Sequence, residues 1–314
     1  MKSTSGPAPL PAAPLRREVV LIGDPVEGSP SPAIHNAAFA QAGLDLEYSA
    51  LSVGLDELPR MFAGLRDRAR GLNVTRPLKE AVVPFLDRWT EDVARAGSAN
   101  TIIFEDGEAT GASTDGPGFL AALSRVRLDP IRRAVILGTG GAARAVAWAL
   151  MSGGASVVVT GRNELAGRRL VAHLLASSAS AGAAVGAPSF LPSEPGALAG
   201  SMDGADLLVN ATPVGGSPDG EDSPLPRGVA LPPGLTVADL VYRPRRTRLL
   251  QLAERSGCAV MEGMEMLVEQ AALSWSMWTG RRAPVEVMRE AAYRALDVSP
   301  RDEGPAEEGW RPAS

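Results

Sequence analysis

The run "VILGTGGAARAV" at residues 135–146 reads as a strand that ends in a glycine turn and opens a helix. Gly138, Gly140 and Ala143 give the spacing G-x-G-x-x-A. Taken alone, such a match is weak. The longer segment "RRAVILGTGGAARAVAWALMSGGASVVVTGRN", residues 132–163, adds a second strand after the helix, which is the βαβ context that makes the match informative. The first glycine permits the tight turn. The second lets the backbone approach a pyrophosphate, and the small third residue lets helix and strand pack closely. The helix N-terminus offers free N–H groups and the positive end of its dipole to phosphates. Gly138, Thr139, Gly140, Gly141 and Ala142 are therefore expected to line a dinucleotide. The competing reading is a plain tight strand–helix turn.

The second strand ends "VVVTGRN", residues 157–163, without the acid that usually holds the ribose 2′-OH of NAD. Arg162 stands there instead, so the expected cofactor is NADP, with NAD less favoured. A solvated arginine on a polar turn is the alternative. After this unit come a helix, the strand "ADLLVNAT", a Pro/Gly loop from Pro213 to Pro233, the strand "LTVADLVY", a helix, a short strand "CAVMEG", and two helical stretches, "MEMLVEQAALSWSMWTG" and "PVEVMREAAYRAL". Asn210, Ala211 and Thr212 close a strand, and strand ends are where nucleotides lie in open α/β sheets.

The first third of the chain alternates in the same way. "EVVLIG", "LEYSALSV" and "ARGLNVT" read as strands, and "PAIHNAAFAQAGL" and "GLDELPRMFAGLRDR" as helices. "LKEAVVPFLDRWTEDVARAG" reads as helical material interrupted by Pro84. Alternation of this kind predicts a largely parallel α/β sheet with covered faces. Two different α/β units are expected, meeting near residues 112–122. The domains are expected at 17–114 and 115–262, with C-terminal helices over 263–297. An arm at 1–16 and a tail at 298–314 read as disordered.

The chain has 314 residues, a formal net charge of −5 and 45% hydrophobic residues, enough for a substantial core. That charge argues against non-specific nucleic-acid binding. A single cysteine, Cys258, excludes an intramolecular disulfide, and two histidines, His35 and His173, exclude a His-rich metal site. No metal is expected, and a reducing cytoplasm suits the chain. The proline-rich N-terminus has no signal-peptide core. The uncharged, Ala- and Ser-rich segment between Arg169 and Glu194 is too broken by proline for a membrane span. His35 reads as a helix residue, His173 as structural or exposed, and Trp275 and Trp278 as packing residues.

The serine loop "GDPVEGSPSPAIHNAAF" from residue 23, with "GLNVTRPLKE", "AGSANT", "STDGPGF", "GTGGAAR", "NATPVG", "DLVY" and "MEMLVEQAALSWSMWTG", resembles the motifs of the shikimate dehydrogenase family, in that family's order. The resemblance spans about residues 19–292. It implies an N-terminal α/β substrate domain, a Rossmann NADP-binding domain, and C-terminal helices returning to the first domain. It also implies NADPH-dependent reduction of 3-dehydroshikimate to shikimate in chorismate biosynthesis, by a monomer or homodimer. Chemically, delivering hydride to a ketone carbon builds negative charge on its oxygen, so the site needs a proton donor or cation there. The resemblance assigns that work to Lys79 and Asp115. It places Ser29 and Ser31 on the substrate carboxylate, held by Pro30 and Pro32, and Tyr242 near it. Thr75 and Asn100 match residues that bind ring hydroxyls, Gln270 matches one reaching in from the returning helix, and Gly263 matches a cofactor-side glycine.

The chain departs from the family's pattern at several positions. Gly28 stands where histidine is common, Ser113 where asparagine is common, and Ala166 where a second cofactor arginine is usual, with Arg168 nearby. Glu265 replaces a glycine next to the expected nicotinamide position, and Arg76 lies beside the Lys79 loop. Relatives acting on quinate or aminoshikimate are the alternative within the family, and a non-catalytic NADP-binding regulator is the alternative outside it.

Overall fold

The computed structural model describes residues 17–181, 186–216 and 222–297. The arm and tail expected at either end lie outside these residues. The first sheet begins with β1 (Glu18–Gly23), α1 (Ser31–Gln41), β2 (Glu47–Ser52), α2 (Leu58–Arg68) and β3 (Ala69–Val74). It continues through the short α3 (Leu78–Ala81), a 3-10 turn at Val83–Phe85, β4 (Arg88–Trp89), α4 (Glu91–Ala96), β5 (Thr101–Glu105) and β6 (Glu108–Ala112). The strand order is β2-β1-β3-β5-β6-β4. β2, β1 and β3 are parallel, whereas β5 runs antiparallel to both β3 and β6.

This half differs from the sequence reading in two places. The stretch 101–112, assigned no secondary structure there, is a hairpin turning at Asp106 (φ 50°) and Gly107 (φ 78°). Left-handed Asp-Gly turns suit the twist of paired strands. The segment after Lys79, read as interrupted helix, breaks at Pro84 and contributes the edge strand β4.

The second sheet holds β7 (Arg133–Leu137), β8 (Ser156–Gly161), β9 (Pro188–Pro192), β10 (Leu207–Asn210), β11 (Thr236–Asp239) and β12 (Ala259–Met261). All are parallel, in the order β12-β11-β10-β7-β8-β9. This is the doubly wound dinucleotide order, reversing between β7 and β10, and ligands bind at such a reversal. Its helices are α5 (Asp115–Leu123), leading in from β6, then α6 (Gly141–Ser152), α7 (Glu164–Ala181), α8 (Pro195–Met202) and α9 (Arg248–Arg255). β9 starts and ends on proline, which an edge strand tolerates.

The chain returns through α10 (Gly263–Thr279) and ends its described part with α11 (Val285–Asp297). α10 lies on the first sheet. Trp275 and Trp278 are fully buried there among Val19, Leu21, Phe39 and Tyr48. The Trp278 indole N–H donates to the Ile102 carbonyl at 2.9 Å. The ring covers Gly71, where any Cβ would collide with it. The two tryptophans are packing residues, as their sequence context indicated.

Candidate active site

Lys79 stands on α3, in the turn that follows β3. Asp115 is the first residue of α5, where a helix dipole favours a carboxylate. The fold brings them together: Lys79 Nζ is 2.5 Å from Asp115 Oδ2, and both side chains are largely buried. A buried ion pair needs its remaining lone pairs satisfied. Asn100 does this, donating from Nδ2 to Asp115 Oδ1 at 3.0 Å and to Thr114 Oγ1 at 2.8 Å. Its own Oδ1 accepts the Thr114 N–H at 2.7 Å. Gln270 Oε1 lies 3.2 Å from the same Asn100 amide. α5 and α10 approach closely enough that a Cβ on Gly118 would sit 2.7 Å from the Gln270 backbone N.

Behind these side chains runs a buried polar layer that the sequence reading did not single out. Ser274, one turn after Gln270, is 2.7 Å from Thr101 Oγ1 and 3.2 Å from Thr114 Oγ1. Asn73 donates to the Asn100 carbonyl at 2.9 Å and accepts the Tyr48 hydroxyl at 2.8 Å. Tyr48 also lies beside Ser31, and its ring stacks on His35 at 4.3 Å. Burial pushes the Tyr48 phenol up and holds the His35 imidazole down, at about 3. Both rings are thus neutral supports. A chain of hydrogen bonds therefore runs from Tyr48 to Asp115 across β2, β3, β5 and α10.

The serine loop caps the first sheet. Ser31 is buried, and its N–H reaches Ser29 Oγ at 3.3 Å. Tyr242 follows β11, in the second half of the molecule, beside Ser29. Burial raises the Tyr242 phenol, while the charges of Arg243 and Arg76 and the neighbouring Ser29 hydroxyl act the other way. Thr75 closes β3, its N–H donating to the Ile22 carbonyl at 2.8 Å. Gly28 is left-handed, φ 68°, a conformation that favours glycine.

The residues expected to line a dinucleotide gather at the reversal between β7 and β10. Gly138, φ 117°, faces the Ala211 carbonyl, 3.0 Å from where its Cβ would be. Asn210 Oδ1 accepts the Thr212 N–H at 3.0 Å and shapes that second loop. Gly140 caps α6 without a side-chain cap, and a Cβ there would project into open space. Thr139 lies against Gly161, and the exposed Arg162 follows at once. Arg162 makes no ion pair among the described residues, whereas Arg168 is paired with Glu164 at 2.7 Å. Uncapped amide groups, an open glycine and an unpaired arginine past the second strand fit NADP. Gly141 touches both halves: its Cβ would fall 2.7 Å from Lys79 Cβ, which places the lysine over the glycine turn. Gly263 is pressed against the backbone of Asp239 and Val241, 2.7 and 2.5 Å from a Cβ, so its small size serves close packing.

The remaining departures have structural settings. Ser113 is buried and lines a crevice with Asp92, Gly116 and Trp148. Glu265 accepts the Tyr293 hydroxyl at 2.7 Å and Arg289 Nε at 3.1 Å. Its carboxylate ties α10 to α11. Five residues along a helix is about 140° of rotation, so Glu265 and Gln270 occupy different faces. His173 lies against Gly97, and His35 is fully buried in α1.

Residues 21–102 match the shikimate dehydrogenase substrate-binding domain, and residues 263–293 match the shikimate 5'-dehydrogenase C-terminal domain. The shikimate dehydrogenase (NADP(+)) of Moorella thermoacetica is 43% identical over 283 residues, 90% of this chain and 94% of its own length. A shikimate 5-dehydrogenase from Thermus thermophilus, solved in complex with NADP(H) and shikimate, superposes with a TM-score of 0.78 at 37% identity, covering 89% of this chain and 99% of that one. The quinate dehydrogenase of Corynebacterium glutamicum, solved with NAD, has a TM-score of 0.78 at 28% identity, covering 88% and 98%.

Proposed function

The chain belongs to the shikimate dehydrogenase family, and from that premise we propose that it is an NADP-dependent oxidoreductase that interconverts 3-dehydroshikimate and shikimate, with Lys79 and Asp115 handling the proton. The observation that carries this reading is the 2.5 Å contact between Lys79 Nζ and Asp115 Oδ2, with the lysine stem against Gly141 of the dinucleotide turn. NADPH, when bound at that turn, supplies a hydride.

As a ketone carbon gains hydride, its π electrons move onto oxygen. Lys79 Nζ gives that oxygen a proton, and ketone plus hydride plus proton becomes the alcohol. Asp115 holds the lysine in place, and Asn100 holds Asp115. General acid–base groups of this kind contribute about 10²–10⁴-fold. Ser29, Ser31 and Tyr242 bind the carboxylate, and Thr75, Asn100 and Gln270 the ring hydroxyls. Buried amides and hydroxyls make such a site steeply selective, because an analogue lacking a hydroxyl leaves them unpaired. Arg162 takes the 2′-phosphate.

The same scheme accommodates a monomer or a homodimer. The same reading treats 17–114 as the substrate domain, 115–262 as the dinucleotide domain, 263–297 as the returning helices, and the cytoplasm as the site of action. Among the described residues no helix is long and apolar enough to cross a membrane.

The test is NADPH oxidation by the purified chain with 3-dehydroshikimate. Turnover is expected, with kcat falling about 10³-fold in Lys79→Ala. Absence of turnover, or near wild-type kcat in that variant, contradicts the reading. Ranking kcat/KM for shikimate, quinate and aminoshikimate identifies the ring substituent the site prefers.

A further inference from the structure

The donors around the serine loop are neutral: Ser29, Ser31 and a Tyr242 whose hydroxyl burial keeps protonated. They can hold a carboxylate in place, but carry no net charge to draw an anion from water. Arg76 stands beside them. The ends of β1 and β3 are clamped together, with Asp24 N–H on the Arg76 carbonyl at 2.9 Å and Thr75 against Gly23, so the Arg76 turn and the serine loop form one rim. Arg76 is exposed, and its side chain has no hydrogen bond or ion pair among the described residues. Its charge is felt at Tyr242, which lies beside Ser29. Arg243, the other cation felt there, spends a guanidinium N–H on the Ala295 carbonyl at 3.1 Å and belongs to the α11 packing.

We propose that Arg76 is a substrate-capturing cation at the rim of the substrate cleft, attracting the carboxylate that the neutral serines and tyrosine then fix. This rests on the reaction proposed above. An exposed cation acts through screened attraction, which is long-ranged at low salt and weak at high salt. It therefore affects capture of the anion, and leaves hydride transfer to the buried groups.

The experiment is shikimate oxidation at saturating NADP+ by the full chain as wild type, Arg76→Lys, Arg76→Leu and Arg76→Glu, at low and high ionic strength. At low salt the KM for shikimate is expected to rise about fivefold in the leucine variant and about 25-fold in the glutamate variant, with lysine within about twofold of wild type. kcat and the KM for NADP+ should stay within about twofold throughout. Wild-type KM should climb with salt while that of the leucine variant stays flat. Equal KM values across the charge series, equal rises in all three variants regardless of salt, or a shift in NADP+ KM instead would overturn the proposal. If wild type does not oxidise shikimate, the reaction reading falls and this inference with it. If wild type is active and the charge series is flat, this inference alone falls.

Discussion

The two sheets present their ligand surfaces in different ways. The second sheet offers backbone: Gly138, Gly140 and Gly141 strip side chains from the turn, and the start of α6 supplies N–H groups. The first offers side chains: Lys79, Asn100 and Ser31 converge from separate elements, backed by a buried polar layer, and Asp115 joins them from the helix leading out of it. A backbone site tolerates most changes that keep the glycines. A side-chain site depends on every partner that holds it.

That contrast makes Asn100 the place to press hardest. Asn100→Ala removes the donor to Asp115 Oδ1 and leaves the buried Thr114 N–H without its acceptor. kcat/KM is expected to fall about 10³-fold, about 4 kcal/mol, because buried groups are left unpaired around the reacting pair. A loss below about tenfold in steady-state assays would show that the side-chain layer is less interdependent than described.

Each half also buries one titratable group that perturbs stability, and the two act in opposite directions. His35 supports the serine loop with its imidazole held down at about 3, from 6.5. The unfolded chain takes up a proton below 6.5 that the native state refuses, so this contribution is complete above 6.5 and lost as pH falls towards 3. Asp239, at the end of β11, is pushed up to about 6 from 3.8 by burial, despite bonds from Thr247, Val241 and Asn210. The native state keeps its proton where the unfolded chain loses it, so that contribution is present below 3.8 and lost as pH rises to 6. Urea unfolding at pH 7 and pH 4 separates them. His35→Phe should remove about 3 kcal/mol of acid destabilisation, and Asp239→Asn should steepen it by a similar amount. Unchanged slopes in both variants would contradict these assignments.

The smallest effect tests the backbone site. Gly140 has an ordinary φ of −82° and open space where a Cβ would be. Gly140→Ala should leave stability within about 1 kcal/mol of wild type yet raise the KM for NADP+ about tenfold, because the methyl occupies the pyrophosphate's approach. Unchanged cofactor affinity would mean the dinucleotide does not come close to this turn.

The same contrast explains what was legible in the sequence. Backbone constraints appear as glycines at fixed spacing, so the turn at 138–143 and the doubly wound half were readable from residues alone. The meeting of Lys79 with Asp115 was legible through motifs that resemble the family's. Tyr48, Asn73, Thr101 and Ser274 were not, because a polar residue on a strand or helix looks like a solvated face until distant elements are packed against it. The pairing of Glu265 with Arg289 was not legible either, because α10 and α11 meet only in the fold. The hairpin at 101–112 carried a usable signal in Asp106-Gly107.

The proposed chemistry requires Lys79 and Asp115 to act as one unit on one oxygen. A double-mutant cycle measures this directly, comparing kcat for Lys79→Met, Asp115→Asn and the double variant. Each single change should cost about 10³-fold, and the double should cost no more than the worse single. Losses that multiply to about 10⁶-fold, or a single variant retaining near wild-type kcat, would mean the two residues act independently.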